Sequence, residues 1–217
     1  MVNKKIKLIG FDGDGTSWFY PNLGIYGSSW DAVSDACGVL EEVKELLNFY
    51  YPRPELYVEW VKKQAELFKG KNVGDIERQV YPVPYTKGFV DFINSVRGKV
   101  LTCLLTTGLE IPARRVQSEL GIDSCFCTYL DRVNGCLSGT VREEVPLWEK
   151  GRVFERVLKE HSVRFDEAAF IGDSKGDIPC FNLCSRGIAY NPKDQETRST
   201  AKFVIEDHRQ LNELLDI

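Results

Sequence analysis

Short apolar runs alternate with stretches of helical periodicity along most of this chain. Ile6 to Phe11 reads as a short buried strand. Residues 86–98 read as a helix with Phe89, Phe92, Ile93 and Val96 on one face, and Lys99–Leu105 as the next strand. Pro112 sits where a helix can begin, and Val116 and Leu120 continue its apolar stripe. Cys125–Thr128 reads as a strand, and Leu130–Val141 as a hairpin turning at Asn134-Gly135. A helix over 148–161, a strand over 168–171 and a helix over 176–184 follow. Gly187–Tyr190 and Lys202–Ile205 are further strands, and 207–215 is a last helix. This alternation predicts a parallel sheet covered on both faces.

The stretch from Ser17 to Tyr81 breaks the rhythm. It shows no clear strand, has helical spacing at Leu56, Trp60, Ala65 and Phe68, and carries breakers at Pro52 and Pro54.

The strand ends carry the chemistry. The first strand stops in Asp12-Gly13-Asp14-Gly15-Thr16, placing two carboxylates in the crevice where open α/β sheets bind ligands. A carboxylate beside a bound divalent cation can serve as ligand and as nucleophile. In isolation the same segment reads equally well as an Asp/Gly turn closing a strand. Three other segments break that tie. The strand through Leu105 ends in Thr106-Thr107-Gly108, Lys150 opens a helical stretch, and Phe170-Ile171 leads into Gly172-Asp173-Ser174-Lys175-Gly176-Asp177.

In this order the four segments resemble the motifs of the haloacid dehalogenase superfamily, and they span most of the chain. The segment from Phe126 to Lys150 further resembles the phosphoserine phosphatase branch. The resemblance implies an α/β Rossmannoid three-layer core with a parallel sheet. It also implies a small helical cap inserted after the first motif, with residues 1–16 and 82–217 as the core and 17–81 as the cap. Asp12 would be the nucleophile, and Asp14 the general acid and base. Thr106, Thr107 and Lys150 would hold the phosphoryl group. Mg²⁺ would be held by Asp12, Asp14 and Asp173, with Asp177 orienting Lys150 or a metal-bound water, and Thr16 fixing the turn. His161 and His208, far from these motifs in sequence, are expected to be structural.

The expected activity is Mg²⁺-dependent hydrolysis of a small phosphorylated metabolite. Phosphoryl transfer to an acceptor other than water would use the same residues, and a binding protein without catalysis would not need all six of Asp12, Asp14, Thr106, Lys150, Asp173 and Asp177. Carbon–halogen hydrolysis fits poorly, because dehalogenases of this superfamily lack the second aspartate.

Substrate recognition departs from the phosphoserine phosphatases. Their carboxylate-binding arginine falls on Gln64, and their ammonium-binding glutamate falls on Pro21. Arg53, Asp31 or Asp35 could substitute, and a small shift of the alignment would bring Lys62 or Lys63 to the arginine's place. Thr107 also stands where the family usually has glycine. Trp18, Phe19, Tyr20, Tyr26 and Trp30 follow the first motif, either as pocket wall or as the cap's own core.

A length of 217 residues suits one core domain with an inserted piece. The net charge of −4 argues against dedicated nucleic-acid or anionic-membrane binding. No apolar run approaches the ~20 residues of a membrane helix. Met1–Lys5 leads into a strand too short for a signal-peptide core, so a cytoplasmic monomer or homodimer is expected. The seven cysteines lack metal or redox spacing and read as reduced thiols.

Overall fold

Four consecutive buried residues, Leu8–Phe11, form β1 at the middle of a seven-stranded sheet. The computed structural model describes residues 5–24, 26–143, 145–146 and 148–217. Met1–Lys4, which lead into the first strand, lie outside the described residues, as do Ile25, Glu144 and Leu147.

Four helices follow β1: α1 (Ser29–Ala36), α2 (Leu40–Tyr50), α3 (Tyr57–Leu67) and α4 (Val73–Val80). Ser28 and Asp31 cap α1 reciprocally, and Asn72 caps α4 through the Asp75 amide. Pro52 and Pro54 separate α2 from α3, as their missing N–H groups require. The remaining elements alternate. They are α5 (Phe89–Val96), β2 (Leu101–Leu109), α6 (Glu110–Leu120), β3 (Ser124–Val133), β4 (Cys136–Glu143) and α7 (Lys150–Glu160). Then come β5 (Ala168–Gly172), α8 (Ile178–Leu183), β6 (Arg186–Tyr190), α9 (Gln195–Thr200), β7 (Phe203–Ile205) and α10 (Leu211–Leu214).

The strand order is β4-β3-β2-β1-β5-β6-β7, and every neighbouring pair is parallel except the β3–β4 hairpin. This is the expected α/β architecture. β3 is longer than its predicted four residues: its first half pairs with β2, and its second half runs on to pair with β4. One strand therefore replaces the predicted strand and separate hairpin arm. Asn134 and Gly135 take positive φ at the turn, as a two-residue hairpin loop demands.

Alternate residues of the strands feed two cores. Ile9, Phe11, Leu104 and Ile171 join α5 and α6 on one face, while Leu8, Leu105 and Phe170 join α7 and α8 on the other. Phe11 meets Phe89 and Phe92 edge-on, with ring centroids 5.5 and 6.2 Å away. Such pairs are worth about 0.5–1.5 kcal/mol each beyond their burial. The four-helix stretch shares the first core through Val33, Phe68 and Ile76. It is also tied to the hairpin by backbone bonds from Gly70 N to Leu137 O and from Val73 N to Gly135 O.

The register puts Phe11 beside Leu104 and Ile171. β1 and β5 therefore end side by side, while β2 runs past its predicted end at Leu105 to Leu109 and carries Thr106 within the strand. All seven cysteines are free, and five of them are buried.

Candidate active site

Asp12 continues from β1, its amide donating to Ile171 O across to β5 at 2.9 Å. Asp12 is 5% exposed, and its carboxylate meets Lys150, the first residue of α7, with Nζ 2.9 Å from Asp12 Oδ1. The same ammonium lies 2.6 Å from Asp177 Oδ1. Burial alone would lower the Lys150 pKa. The charges of Asp12 and Asp177 outweigh it and hold the group well above the ordinary lysine value.

Asp177 uses its other oxygen on the backbone. Oδ2 accepts from Asp173 N at 2.9 Å and Ser174 N at 3.0 Å, which closes the loop after β5 and fixes Asp173. Asp173 is itself 1% exposed. Burial raises its pKa, opposed by Lys193, whose Nζ lies 2.6 Å from Asp173 Oδ2. Asp173 Oδ1 has no hydrogen-bond partner among the described residues.

Asp12, Asp173 and Asp177 bring carboxylate oxygens within 4.8 Å of one another. A buried, all-oxygen, anionic set with an unsatisfied carboxylate oxygen fits a hard divalent cation. Gly15 permits this approach: its φ is +85°, and a Cβ there would strike the Asp173 carboxylate.

Asp14 stands apart from the group it was expected to join. Its Oδ1 accepts from Trp18 Nε1 at 2.7 Å and Ser29 N at 2.6 Å, and its Oδ2 from Ser29 Oγ at 2.6 Å. These donors turn the carboxylate toward the start of α1. Enclosure pushes its pKa up to about 6 and the Asp12 charge adds to this, while the bonds from Ser29 and Trp18 pull it down.

Thr106 is 1% exposed on β2, and its Oγ1 accepts from Gly108 N at 3.0 Å. A Cβ at Gly108 would strike Asp14 Oδ2 and sit 2.6 Å from Ser29 Oγ, so glycine lets β2 approach the acid. The Thr107 carbonyl accepts from Trp30 Nε1 and Thr128 Oγ1.

Thr16 does not tie the turn with its hydroxyl, which has no partner among the described residues. Ser17 does so instead, its Oγ donating to Asp12 O at 2.6 Å. The Thr16 carbonyl accepts from Thr86 Oγ1 and pairs with His208 Nε2 at 2.9 Å. His208 is thus remote in sequence but close in space to the first motif.

Lys193 was not singled out in the sequence. It follows β6 by three residues, at the carboxyl end of the sheet like the other motif residues, and that position is the one signal that could have found it.

A cavity of about 700 Å³ opens from these groups into the helical stretch. Gln64 lines it, while Lys62 and Lys63 face outward. Arg53 and Asp31 line it too, whereas exposed Pro21 and Asp35 do not. Of the five early aromatic residues, Tyr26 and Trp30 reach the cavity. Trp18 serves Asp14, the Tyr20 hydroxyl bonds Val80 O, and Phe19 is exposed.

The family model for haloacid dehalogenase-like hydrolases matches residues 24–182. The phosphoserine phosphatase of Methanocaldococcus jannaschii is 26% identical over 217 residues, covering 99% of this chain and 98% of its own length. That of Campylobacter jejuni subsp. doylei is 24% identical over 214 residues, covering 98% and 99%. A solved structure described as a phospho-aspartyl intermediate analogue of phosphoserine phosphatase matches with a TM-score of 0.80 at 24% identity. It covers 98% of this chain and 100% of that one. A haloacid dehalogenase family hydrolase from Salmonella enterica matches with a TM-score of 0.82 at 14% identity, covering 94% and 68%.

Proposed function

The chain belongs to the haloacid dehalogenase-like hydrolases, and from that premise we propose that it is a phosphatase cleaving phosphoric monoesters of a small metabolite. The observation that carries this reading is Lys150, buried between the carboxylates of Asp12 and Asp177, with the unpartnered Oδ1 of Asp173 beside them.

In this mechanism an Asp12 oxygen attacks phosphorus, and the bond from phosphorus to the leaving oxygen breaks. Asp14, whose pKa near 6 leaves it a larger protonated share near neutral pH than an ordinary aspartate has, gives its proton to that oxygen. Asp14 then takes a proton from water, which attacks the aspartyl-phosphate and releases inorganic phosphate and free Asp12. Lys150 and the Thr106 hydroxyl hold the phosphoryl oxygens, joined by the Thr107 amide. Asp12 and Asp173 are the residues that would hold Mg²⁺, with Asp177 keeping Lys150 in place. The cation would supply charge compensation to the phosphoryl oxygens.

Helices α1–α4, within residues 17–81, serve as the cap over a core of 1–16 and 82–217. Phosphoserine fits this cap poorly, because neutral Gln64 cannot form a charged bidentate pair with a carboxylate. A cytoplasmic location accords with the lack, among the described residues, of a helix long and apolar enough to cross a membrane.

Phosphate release from a panel of monoesters, with Mg²⁺ and with EDTA, tests the reading. Mg²⁺-dependent release that disappears in Asp12→Asn supports it, and equal release by that variant overturns it.

A further inference from the structure

The cavity wall beyond the phosphoryl end is aromatic. Tyr26 and Trp30 come from the α1 end, Tyr50 closes α2, and Tyr57 and Trp60 stand on α3. Tyr50 and Trp60 are parallel, 8° apart with centroids at 6.4 Å, and Tyr57 stands at 90° to Trp60. Trp30 is anchored by its indole N–H on Thr107 O. The wall therefore presents ring faces and edges in fixed orientations.

The charged groups around this wall already have partners within the protein. Asp31 accepts from Ser28 N and Oγ and from Tyr26 N, as the cap of α1. Arg53 donates to Phe49 O and lies over the Phe49 ring, 4.4 Å from its centroid. Lys175 pairs with Glu196 at 2.9 Å, and Asp194 caps α9 through Thr197. A zwitterionic leaving group would have to compete with these existing partners for the same charges. The rings enclose a cavity of about 700 Å³, within the ~300–1,000 Å³ range of small-molecule pockets.

We infer that the substrate is a phosphate monoester whose uncharged remainder carries an aromatic ring, seated against Trp60, Tyr57 and Trp30. This rests on the phosphatase reading above. Quadrupolar ring contacts and exclusion of water favour such a group over an alkyl chain of equal length.

The test uses esters of primary alcohols, so that leaving-group acidity stays comparable: 2-phenylethyl, 2-(indol-3-yl)ethyl and n-butyl phosphate, with phosphoserine. The aromatic esters should exceed both others in kcat/KM by about tenfold or more, the scale of one to two methylene-sized apolar contacts. Trp60→Leu should lower the aromatic-to-butyl ratio about tenfold, and Tyr57→Leu gives the same readout if the first variant does not fold. Butyl phosphate or phosphoserine matching the aromatic esters overturns the inference and leaves the phosphatase reading standing. If no ester is turned over, the phosphatase reading falls. Ring preference is then read from tryptophan fluorescence on titrating 3-phenylpropylphosphonate against pentylphosphonate. Tighter binding of the phenyl compound supports the aromatic seat, and equal binding overturns it.

Discussion

Lys193 Nζ lies 2.6 Å from Asp173 Oδ2, so the carboxylate expected to hold a divalent cation already has a monovalent partner. The lysine side chain is 42% exposed, and water screens part of the attraction. Lys193→Met should therefore cost only about 1 kcal/mol in the absence of Mg²⁺. It should also bind Mg²⁺ more tightly, because a competing positive charge is gone. Calorimetric titration with Mg²⁺ and melting curves with and without the ion check both points. Weaker Mg²⁺ binding in the variant would show that Lys193 supports the ion site rather than competing for it.

Asp12→Asn should lose turnover by about 10³-fold or more while keeping its circular dichroism, since nucleophile loss removes the covalent route with almost no change in volume. EDTA should silence the wild type, and added Mg²⁺ should restore it. Asp14→Asn should retain measurable activity toward p-nitrophenyl phosphate, whose leaving group needs little protonation, and far less toward alkyl phosphates. Equal losses on both ester types would remove Asp14 from the role of acid.

Lys150→Met tests the buried charge group from its other side. Asp12 and Asp177 would face each other without a cation, in a site that water barely reaches. A loss of about 3–5 kcal/mol in unfolding free energy is expected, read from urea denaturation. Added Mg²⁺ should recover part of it. A variant as stable as the wild type would mean that one of the carboxylates holds a proton in the resting protein.

His208 gives a pH dependence outside the catalytic group. Burial depresses its pKa from 6.5 to about 4, with the Thr16 carbonyl opposing. The ring is therefore neutral in the fold. As pH falls from about 6.5 to 4, the unfolded chain takes up a proton that the folded chain refuses, and stability drops through that window. The full loss is about 3 kcal/mol and is complete below pH 4. The stability gap between wild type and His208→Asn should shrink by that order between pH 7 and pH 4. A gap that stays constant would show that the imidazole titrates at its ordinary value.

What the sequence revealed followed from local pattern. Apolar runs stopping at Asp12 and Asp173 marked two strand ends, the run stopping at Thr106 belongs to a strand that continues to Leu109, and the structure sets those three strands side by side. Lys193 escaped notice because a single lysine after Asn191-Pro192 carries no periodicity, and its role depends on how β6 sits against β5. The divergent fates of Trp18, Tyr20 and Trp30 were illegible for a similar reason. The first two lie outside any helix, so no spacing dictates which way each ring points. The direction of Asp14 depended on Ser29, fifteen residues away, and on the loop that returns α1 to the sheet.

The Asp14–Ser29 contact also ties substrate entry to proton delivery. Ser29 is the first residue of α1, and its amide and hydroxyl both end on the Asp14 carboxylate, while the same hydroxyl receives Leu109 N at 2.9 Å. Any swing of α1 wide enough to admit a bulky ester must break these bonds and let water onto the acid. Solvated, Asp14 would return toward the ordinary aspartate value of 3.8 and lose most of the protonated share that enclosure gives it. The enclosure that holds the ester is thus also what arms the acid, and an open molecule is a disarmed one.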